Sequence, residues 1–330
     1  MNKTVKNILK ISFFVVTGAF LFYLVYKDFN FKELFSGLNN LNWWWFLLMF
    51  AIGLLSHVSR TMRWQMLLES NGEKTRFLNT FFAVMNGYFA NIAVPRLGEV
   101  TRCAVVSKYD KVNFSKVLGT MVTERIIDVI MLLLITILAV ILQSAEINTF
   151  LENNPDLGKN LKFLTSLPVI LGVITIGIFS VVFVVRIAKG KYNHIKVFQK
   201  LSDFVNNFWT GVISLKKVKR PLLFILHSIF IWTMYFLMLY VCFFAFEGFE
   251  NLNPVSALML FVAGSFGMVA PAPNGIGAYH FMIIQALMIY GISQNDAAGF
   301  AFIVHSLQTA GLIIMGLVSF IFIPIINKNR

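Results

Sequence analysis

Residues 91–102 are NIAVPRLGEVTR, a polar stretch that breaks the end of an apolar segment. Pro95 predicts the end of the incoming helix, because its ring clashes with the preceding turn and disfavours α geometry at Val94. Gly98 is expected to let the chain reverse. The stretch therefore predicts a tip between two short helices and is unlike an ordinary membrane span.

Three ionisable side chains lie in this tip or just after it, namely Arg96, Glu99 and Arg102. In lipid, each of these charges would be costly unless it faced protein or a wet cavity. A second break of the same kind is PAPNGIGAYH, residues 271–280. The two tips occupy corresponding places in the two halves of the chain, so we predict two copies of one membrane unit.

The composition indicates that the protein folds in a membrane. Of its 330 residues, 58% are hydrophobic and only 13% are charged, which is typical of a polytopic membrane protein. The net charge of +13 comes from basic residues in short loops beside apolar runs, as the positive-inside rule expects, and we expect no nucleic-acid partner. Cys103 and Cys242 lie in unrelated apolar surroundings and indicate neither a disulfide framework nor a metal site.

Apolar segments of suitable length predict six membrane crossings, since a bilayer core takes about 20 helical residues. The first resembles a signal peptide, but no small-residue cleavage pattern follows it. The crossings are expected at about residues 11–26, from 43 onward, 115–143, 167–185, 221–246 and 297–325. Residues 77–107 and 254–290 are expected to enter and return as re-entrant helical hairpins, which are tolerated only where protein or a cavity covers them.

We therefore predict an all-α, polytopic integral membrane protein with a single transmembrane domain over residues 1–330. Its first repeat covers about 8–143 and its second about 167–326, each with three spans plus one re-entrant hairpin. Because three crossings are an odd number, the second repeat is expected to be inverted. Between them, apolar residues recur at helical spacing over about 192–215 within a basic stretch, which predicts an amphipathic helix on the inner surface.

A charged helix face follows the first tip. The spacing of four places Thr120, Glu124 and Asp128 on one side of a helix whose uncharged part is too short to span alone. The nearest expected partners for these carboxylates are Arg96 and Arg102. A purely structural ion-pair network remains an alternative to a binding site.

Arg60, Arg63 and Trp64 are expected near the cytoplasmic headgroups, at the inner end of the second span. They could be snorkelling side chains or phosphate ligands. In both hairpins the outgoing half-helix begins at the tip, and the amino end of a helix carries partial positive charge and free N–H groups. Together with Arg96 and Arg102, this favours a phosphate-bearing headgroup as ligand.

Several of these motifs resemble the transmembrane region of the lysylphosphatidylglycerol synthase family, also called the flippase-like or UPF0104 family. The resemblance is carried by Arg63-Trp64, Asn91-x-x-x-Pro95-Arg96-x-Gly98-Glu99-x-x-Arg102, Glu124-Arg125-x-x-Asp128 and residues 273–277, PNGIG. It implies a plasma-membrane protein that moves phospholipids or polyprenyl-linked lipids between leaflets. The polar residues that it marks as functional are Arg96, Glu99, Arg102, Glu124, Arg125 and Asp128.

The sequence departs from the family in two respects. No soluble aminoacyl-transferase domain follows the last span, so transferase activity is not expected. His280 stands near the place where the family commonly has a glutamate. This histidine could relay protons with His305 and Gln308, or it could form structural hydrogen bonds between helices.

The predicted substrate site also includes Asn91, Arg63, Asn274 and His280, and we expect no metal or cofactor. The favoured function is a lipid flippase or transporter that holds the headgroup between the two hairpins. The alternative is an intramembrane enzyme that acts on a lipid-linked phosphate, aminoacyl or sugar group, although Walker, H-E-x-x-H and G-x-S-x-G motifs are absent.

The expected location is a bacterial-type inner membrane, with multiple passes and both termini in the cytoplasm. Expected partners are the lipid substrate and anionic lipid at the cytoplasmic surface. A homo-oligomer is compatible with this interpretation.

Overall fold

A computed structural model describes residues 16–27, 29, 41–143, 217–270 and 272–328. Within these ranges the regular structure is entirely helical. The helices are α1 (Val16–Tyr26, as far as it is described), α2 (Trp43–Ser70), α3 (Phe77–Ala93), α4 (Leu97–Asp110), α5 (Phe114–Leu142), α6 (Pro221–Phe243), α7 (Pro254–Val269), α8 (Ala278–Ile289) and α9 (Gln294–Ile325). A single 3₁₀ turn, Pro273–Gly275, precedes α8.

Four of these helices, α2, α5, α6 and α9, are long and apolar enough to cross a membrane. This confirms the predicted all-α, polytopic membrane architecture. The predicted crossing at 167–185 and the amphipathic helix at 192–215 lie outside the described residues. The limits of the two repeats therefore stay predictions.

Polar caps explain where several helices begin. The Asn42 side chain accepts the Trp44 N–H ahead of α2, and the Asn113 side chain accepts the Lys116 N–H ahead of α5. Asn253 accepts two N–H groups ahead of α7, and Ser293 accepts the Asp296 N–H ahead of α9. Each cap satisfies backbone donors that have no partner within the helix.

The first hairpin consists of α3 and α4, which pack along each other. As predicted, Pro95 ends α3, and Val94 is extended with φ −140° and ψ 122°. The prediction that Gly98 makes the reversal was wrong, because the left-handed residue is Arg96, with φ 65°.

Gly98 instead permits a close approach between the two arms of this hairpin. A Cβ atom placed on Gly98 would lie 2.0 Å from the Gly87 carbonyl oxygen. The Gly98 N–H donates to Asn91 Oδ1 at 2.7 Å, which holds the start of α4 against the end of α3. A side chain at position 98 would therefore force the arms apart.

The second hairpin consists of α7 and α8, joined through the 3₁₀ turn. The described part of this tip includes three residues with positive φ, Asn274 at 49°, Gly275 at 70° and Gly277 at 83°, whereas Pro271 lies outside the described residues. Helix α1 covers the tip, since a Cβ atom on Gly277 would lie 2.4 Å from Leu21 Cβ. The 3₁₀ turn also packs against α3, so the two hairpins meet.

The helix contacts occur in matching sets in the two halves. Helix α2 packs along α6, and each hairpin packs against the long helix that follows it, α4 on α5 and α8 on α9. Each hairpin also packs on the long helix of the other half of the chain: α3 packs on α9, and α7 packs on α5. Two repeats related by a two-fold axis would give this pattern, and it supports the predicted inverted repeat, which stays a prediction.

We expect Gly98→Ala to loosen the first hairpin. The added methyl group would collide with the Gly87 carbonyl, and overpacking of this kind typically destabilises a protein by about 1–3 kcal/mol. The measurement is maleimide labelling of Cys103, a buried thiol of α4, in detergent-solubilised protein.

Gly119→Ala in α5 is the matched control, because a Cβ atom there would meet nothing within 4 Å. Faster labelling of Cys103 in Gly98→Ala alone is the expected result. Equal labelling in both variants would contradict the close-packing role of Gly98.

Candidate functional site

A group of buried charges lies where α2, α4 and α5 meet. It contains three arginines and two carboxylates, which we call the arginine cluster: Arg60, Arg63, Arg102, Glu124 and Asp128. All five side chains are at most 13% exposed. Their chain positions explain the meeting, since Arg60 and Arg63 share one face of α2 while Glu124 and Asp128 share one face of α5.

Glu124 is the acceptor that joins the three helices. Its Oε1 lies 2.7 Å from Arg60 Nε and 3.4 Å from Arg63 Nη2, both on α2. Its Oε2 lies 2.9 Å from Arg102 Nη2 on α4. The glutamate side chain is fully buried, so its charge is stabilised by these guanidinium groups in place of water.

Asp128 provides the second acceptor, one turn further along α5. Its Oδ1 lies 2.7 Å from Arg63 Nη2, and its Oδ2 contacts Arg60 Nη2. Arg60 therefore bridges both carboxylates through separate nitrogens. A planar guanidinium suits this bridging geometry better than an ammonium would.

Trp64 provides an aromatic face for the cluster. The Cζ atom of Arg102 lies 4.6 Å from the centroid of the Trp64 ring, which is a cation–π distance. The Trp64 indole N–H donates to Thr120 Oγ1 at 3.0 Å, which fixes the ring against α5. Thr120 thus joins Glu124 and Asp128 on the predicted face.

The cluster is bonded to the second half of the chain through α6. Arg60 Nη1 donates to two phenol oxygens, Tyr88 of α3 at 2.9 Å and Tyr235 of α6 at 2.8 Å. Arg63 Nη1 donates to Ser228 Oγ, also of α6, at 3.3 Å. Charged groups from the first half are thereby connected directly to a helix of the second.

Arg125 and Glu99 form the rim of the cluster. Arg125 lies 3.8 Å from a Glu99 carboxylate oxygen and 3.5 Å from Asp128 Oδ2. The Arg125 side chain is 41% exposed, so these contacts are weaker than the buried ones.

The buried charges do not balance. Among the described residues, three buried arginines face two buried carboxylates, which leaves one positive charge uncompensated there. In addition, Nε of Arg63 and Nε of Arg102 are buried and have no hydrogen-bond partner among the described residues. Unsatisfied buried donors are rare in folded proteins, and here they belong to groups that bind anions well. The arrangement suits a bound anion.

The structure brings six predicted site residues together, namely Arg63, Glu99, Arg102, Glu124, Arg125 and Asp128. Arg96 is exposed at the first tip and makes no ion pair with a described residue, so its expected contact with the carboxylates was wrong. Asn91 is engaged by the Gly98 N–H. Asn274 and His280 belong to a separate group at the second tip.

Arg60 was expected at the cytoplasmic headgroups with Arg63 and Trp64, as a snorkelling side chain or a phosphate ligand. Snorkelling was wrong for all three, because each side chain is buried inside the helical bundle, whereas phosphate binding stays a prediction. Arg60 lies ten residues before the end of α2, or about 15 Å at 1.5 Å per residue. The sequence did contain a signal for Arg60, because a residue three positions before Arg63 lies on the same helix face.

Sequence reasoning also missed Tyr88 and Tyr235, whose hydroxyl groups are 3.2 Å apart. Tyrosine is common in membrane helices near interfaces, so neither position is distinctive in the sequence. The described residues contain no group of three or more His, Cys, Asp or Glu side chains that could hold a metal ion.

The second tip gathers two histidines that are far apart in the chain. His280 and His305 have ring centroids 4.7 Å apart, with the planes at 76°. His305 Nε2 lies 2.9 Å from the Asn274 carbonyl oxygen, and Asn274 Nδ2 donates to Thr309 Oγ1 at 2.7 Å. We call His280 and His305 the histidine pair.

Comparison with known proteins decides the family. Residues 7–316 match the description "Lysylphosphatidylglycerol synthase TM region". The chain belongs to this family. A UPF0104 membrane protein of Methanocaldococcus jannaschii is 24% identical to it over 298 residues, which cover 85% of each chain. No solved structure matches the chain.

This lysylphosphatidylglycerol synthase transmembrane-region protein carries its arginine cluster on motifs that the resemblance had marked. Glu124-Arg125-x-x-Asp128 provides both buried carboxylates, and the first tip provides Arg102. The family assignment and the four long apolar helices together establish a membrane protein.

We expect Glu124→Gln to destabilise the protein by about 3–5 kcal/mol, because three buried arginines would lose their shared carboxylate. The control is Glu69→Gln, an exposed position on α2, where a change of about 0.5 kcal/mol or less is expected. Thermal unfolding in detergent, followed by circular dichroism, measures both variants. Equal midpoints would show that the cluster contributes nothing to stability.

Proposed function

We propose that the protein moves an anionic phospholipid or polyprenyl-linked lipid between leaflets. The headgroup binds at the arginine cluster, between the two hairpins, while the lipid tails stay in the bilayer. The observation that carries this proposal is the unbalanced positive charge of Arg60, Arg63 and Arg102 against Glu124 and Asp128. A phosphate group would neutralise that charge and accept the unpartnered N–H groups.

A lipid is favoured over a free anion by the apolar surface beside the cluster. Beyond the cluster, α5 carries a row of large, exposed apolar side chains, which includes Leu133, Leu134, Ile137 and Ile141. Acyl or prenyl chains fit such a surface, since it has no polar groups to desolvate. The lysyl-lipid named in the family description agrees with a lipid ligand.

Charged loops support the proposed location and partners. We place the protein in a plasma membrane of bacterial type with both termini in the cytoplasm, because basic residues concentrate in the loops assigned to that side. The segment at 192–215 would bind anionic lipid at the inner surface. A homo-oligomer is compatible with this arrangement.

Arg102→Gln tests the binding site, in protein whose size-exclusion profile shows that it is folded. The variant keeps two buried arginines, Arg60 and Arg63, opposite two buried carboxylates. The buried charges are then balanced, and the excess positive charge that would bind an anion is removed. We expect leaflet exchange of fluorescent phosphatidylglycerol in proteoliposomes, measured by dithionite quenching, to fall about tenfold or more, since charge-assisted hydrogen bonds contribute about 1.5–3 kcal/mol.

The matched control is Lys108→Gln, which removes one exposed positive charge from the same helix. Arg96→Ala, at the exposed tip, tests whether that arginine also receives the headgroup, and loss of exchange without unfolding is expected. Normal exchange in a folded Arg102→Gln variant would overturn the site. Chemically altered lipid recovered after incubation would instead support the enzyme alternative.

A further inference from the structure

The two hairpin tips differ in charge. The first lies next to buried guanidinium groups, whereas the second presents the histidine pair. Between described residues, neither His280 nor His305 makes an ion pair. An anion that passes from the first tip to the second therefore leaves a positively charged site and meets one whose described groups are neutral hydrogen-bonding groups.

The hydrogen bonds define where the histidine pair can accept a proton. The Gly277 N–H donates to His280 Nδ1 at 3.2 Å, so the neutral ring of His280 carries its proton on Nε2. His305 Nε2 donates to the Asn274 carbonyl, so its proton is also on Nε2. Nδ1 of His305 then remains as a basic nitrogen without a bond to a described residue.

The described groups that face the pair supply no fixed negative charge. Tyr279 stacks on His305 with centroids 4.8 Å apart, and Tyr26 of α1 lies 5.4 Å from His280. Phe22 of α1 contacts His280 edge-on. A further described titratable neighbour, Cys242 of α6, adjoins Tyr279. An imidazolium here has no carboxylate partner among the described residues, and a buried, unpaired charge is costly.

We propose that the histidine pair takes up one proton with each anionic headgroup that crosses, so that lipid movement is coupled to proton movement. The proposal rests on the proposed function. The proton comes from water, binds His305 Nδ1 while the headgroup is at the second tip, and returns to water when the headgroup leaves. Anion and imidazolium stabilise each other, and this coupling is reciprocal: the anion favours proton binding and the proton favours anion binding.

Charge balance gives the proposal a distinctive consequence. A monoanionic headgroup together with one proton is neutral, so a membrane potential exerts no net force on the pair. A monoanion alone would be driven by about 2.3 kcal/mol per 100 mV. A pH gradient, but not a potential, should therefore drive net lipid movement.

The experiment uses the full chain in proteoliposomes with fluorescent phosphatidylglycerol and an internal pH dye. In the natural protein we expect exchange to rise from about pH 8 to about pH 6, by up to about tenfold per pH unit, with proton entry that accompanies lipid entry. A valinomycin-imposed potassium potential should leave the exchange rate unchanged.

His305→Gln removes the proton site and keeps a donor for the Asn274 carbonyl, because a glutamine amide can replace Nε2–H. We expect this variant to lose the pH dependence and the proton signal. The control is His227→Gln, a half-buried histidine of α6 outside the pair, which should keep both. Size-exclusion profiles establish that each variant is folded.

Three results would overturn the coupling. One is exchange in the natural protein that is independent of pH, and another is exchange without proton entry. Both leave the proposed function intact, and both are measured without any variant. The third, no protein-dependent exchange at any pH, would overturn the proposed function and the coupling together.

Discussion

Burial of arginine side chains inside a helical bundle is the constraint on which the first half of this structure depends. A guanidinium cannot be deprotonated at any accessible pH, so the fold must provide negative charge wherever one is buried. Glu124 does this for three arginines from two helices. Because its two oxygens face different helices, this one carboxylate links α2 and α4 to α5.

The same ions couple the two halves of the chain. Arg60 is bonded both to Glu124 and to the Tyr235 hydroxyl of α6, so a displacement of α6 changes the environment of the first hairpin. The hydrogen bond from Arg60 to the Tyr235 hydroxyl can be replaced by one to water or to a ligand oxygen. The proposed lipid movement would need contacts that can be exchanged in this way, so that the site opens to one side at a time.

Local sequence signals predicted much of the fold, because the physics that sets helix ends is local. Pro95 acts on its own neighbours, and the face shared by Glu124 and Asp128 follows from helical periodicity. The partners of that face could not be predicted in the same way. Arg60 lies 64 residues from Glu124 and Tyr235 lies 175 residues from Arg60, and only tertiary packing brings them together.

The cover that α1 provides for the second tip also has a consequence for biosynthesis. Gly18 packs against Pro273, and the Tyr26 hydroxyl donates to the Ala298 carbonyl at 3.2 Å, 272 residues along the chain. At about 5–20 residues per second, the ribosome needs tens of seconds to make that partner after α1 has emerged. Helix α1 must therefore be stable in the bilayer by its own apolar surface until α9 has been made, and its contacts with the second tip form only then.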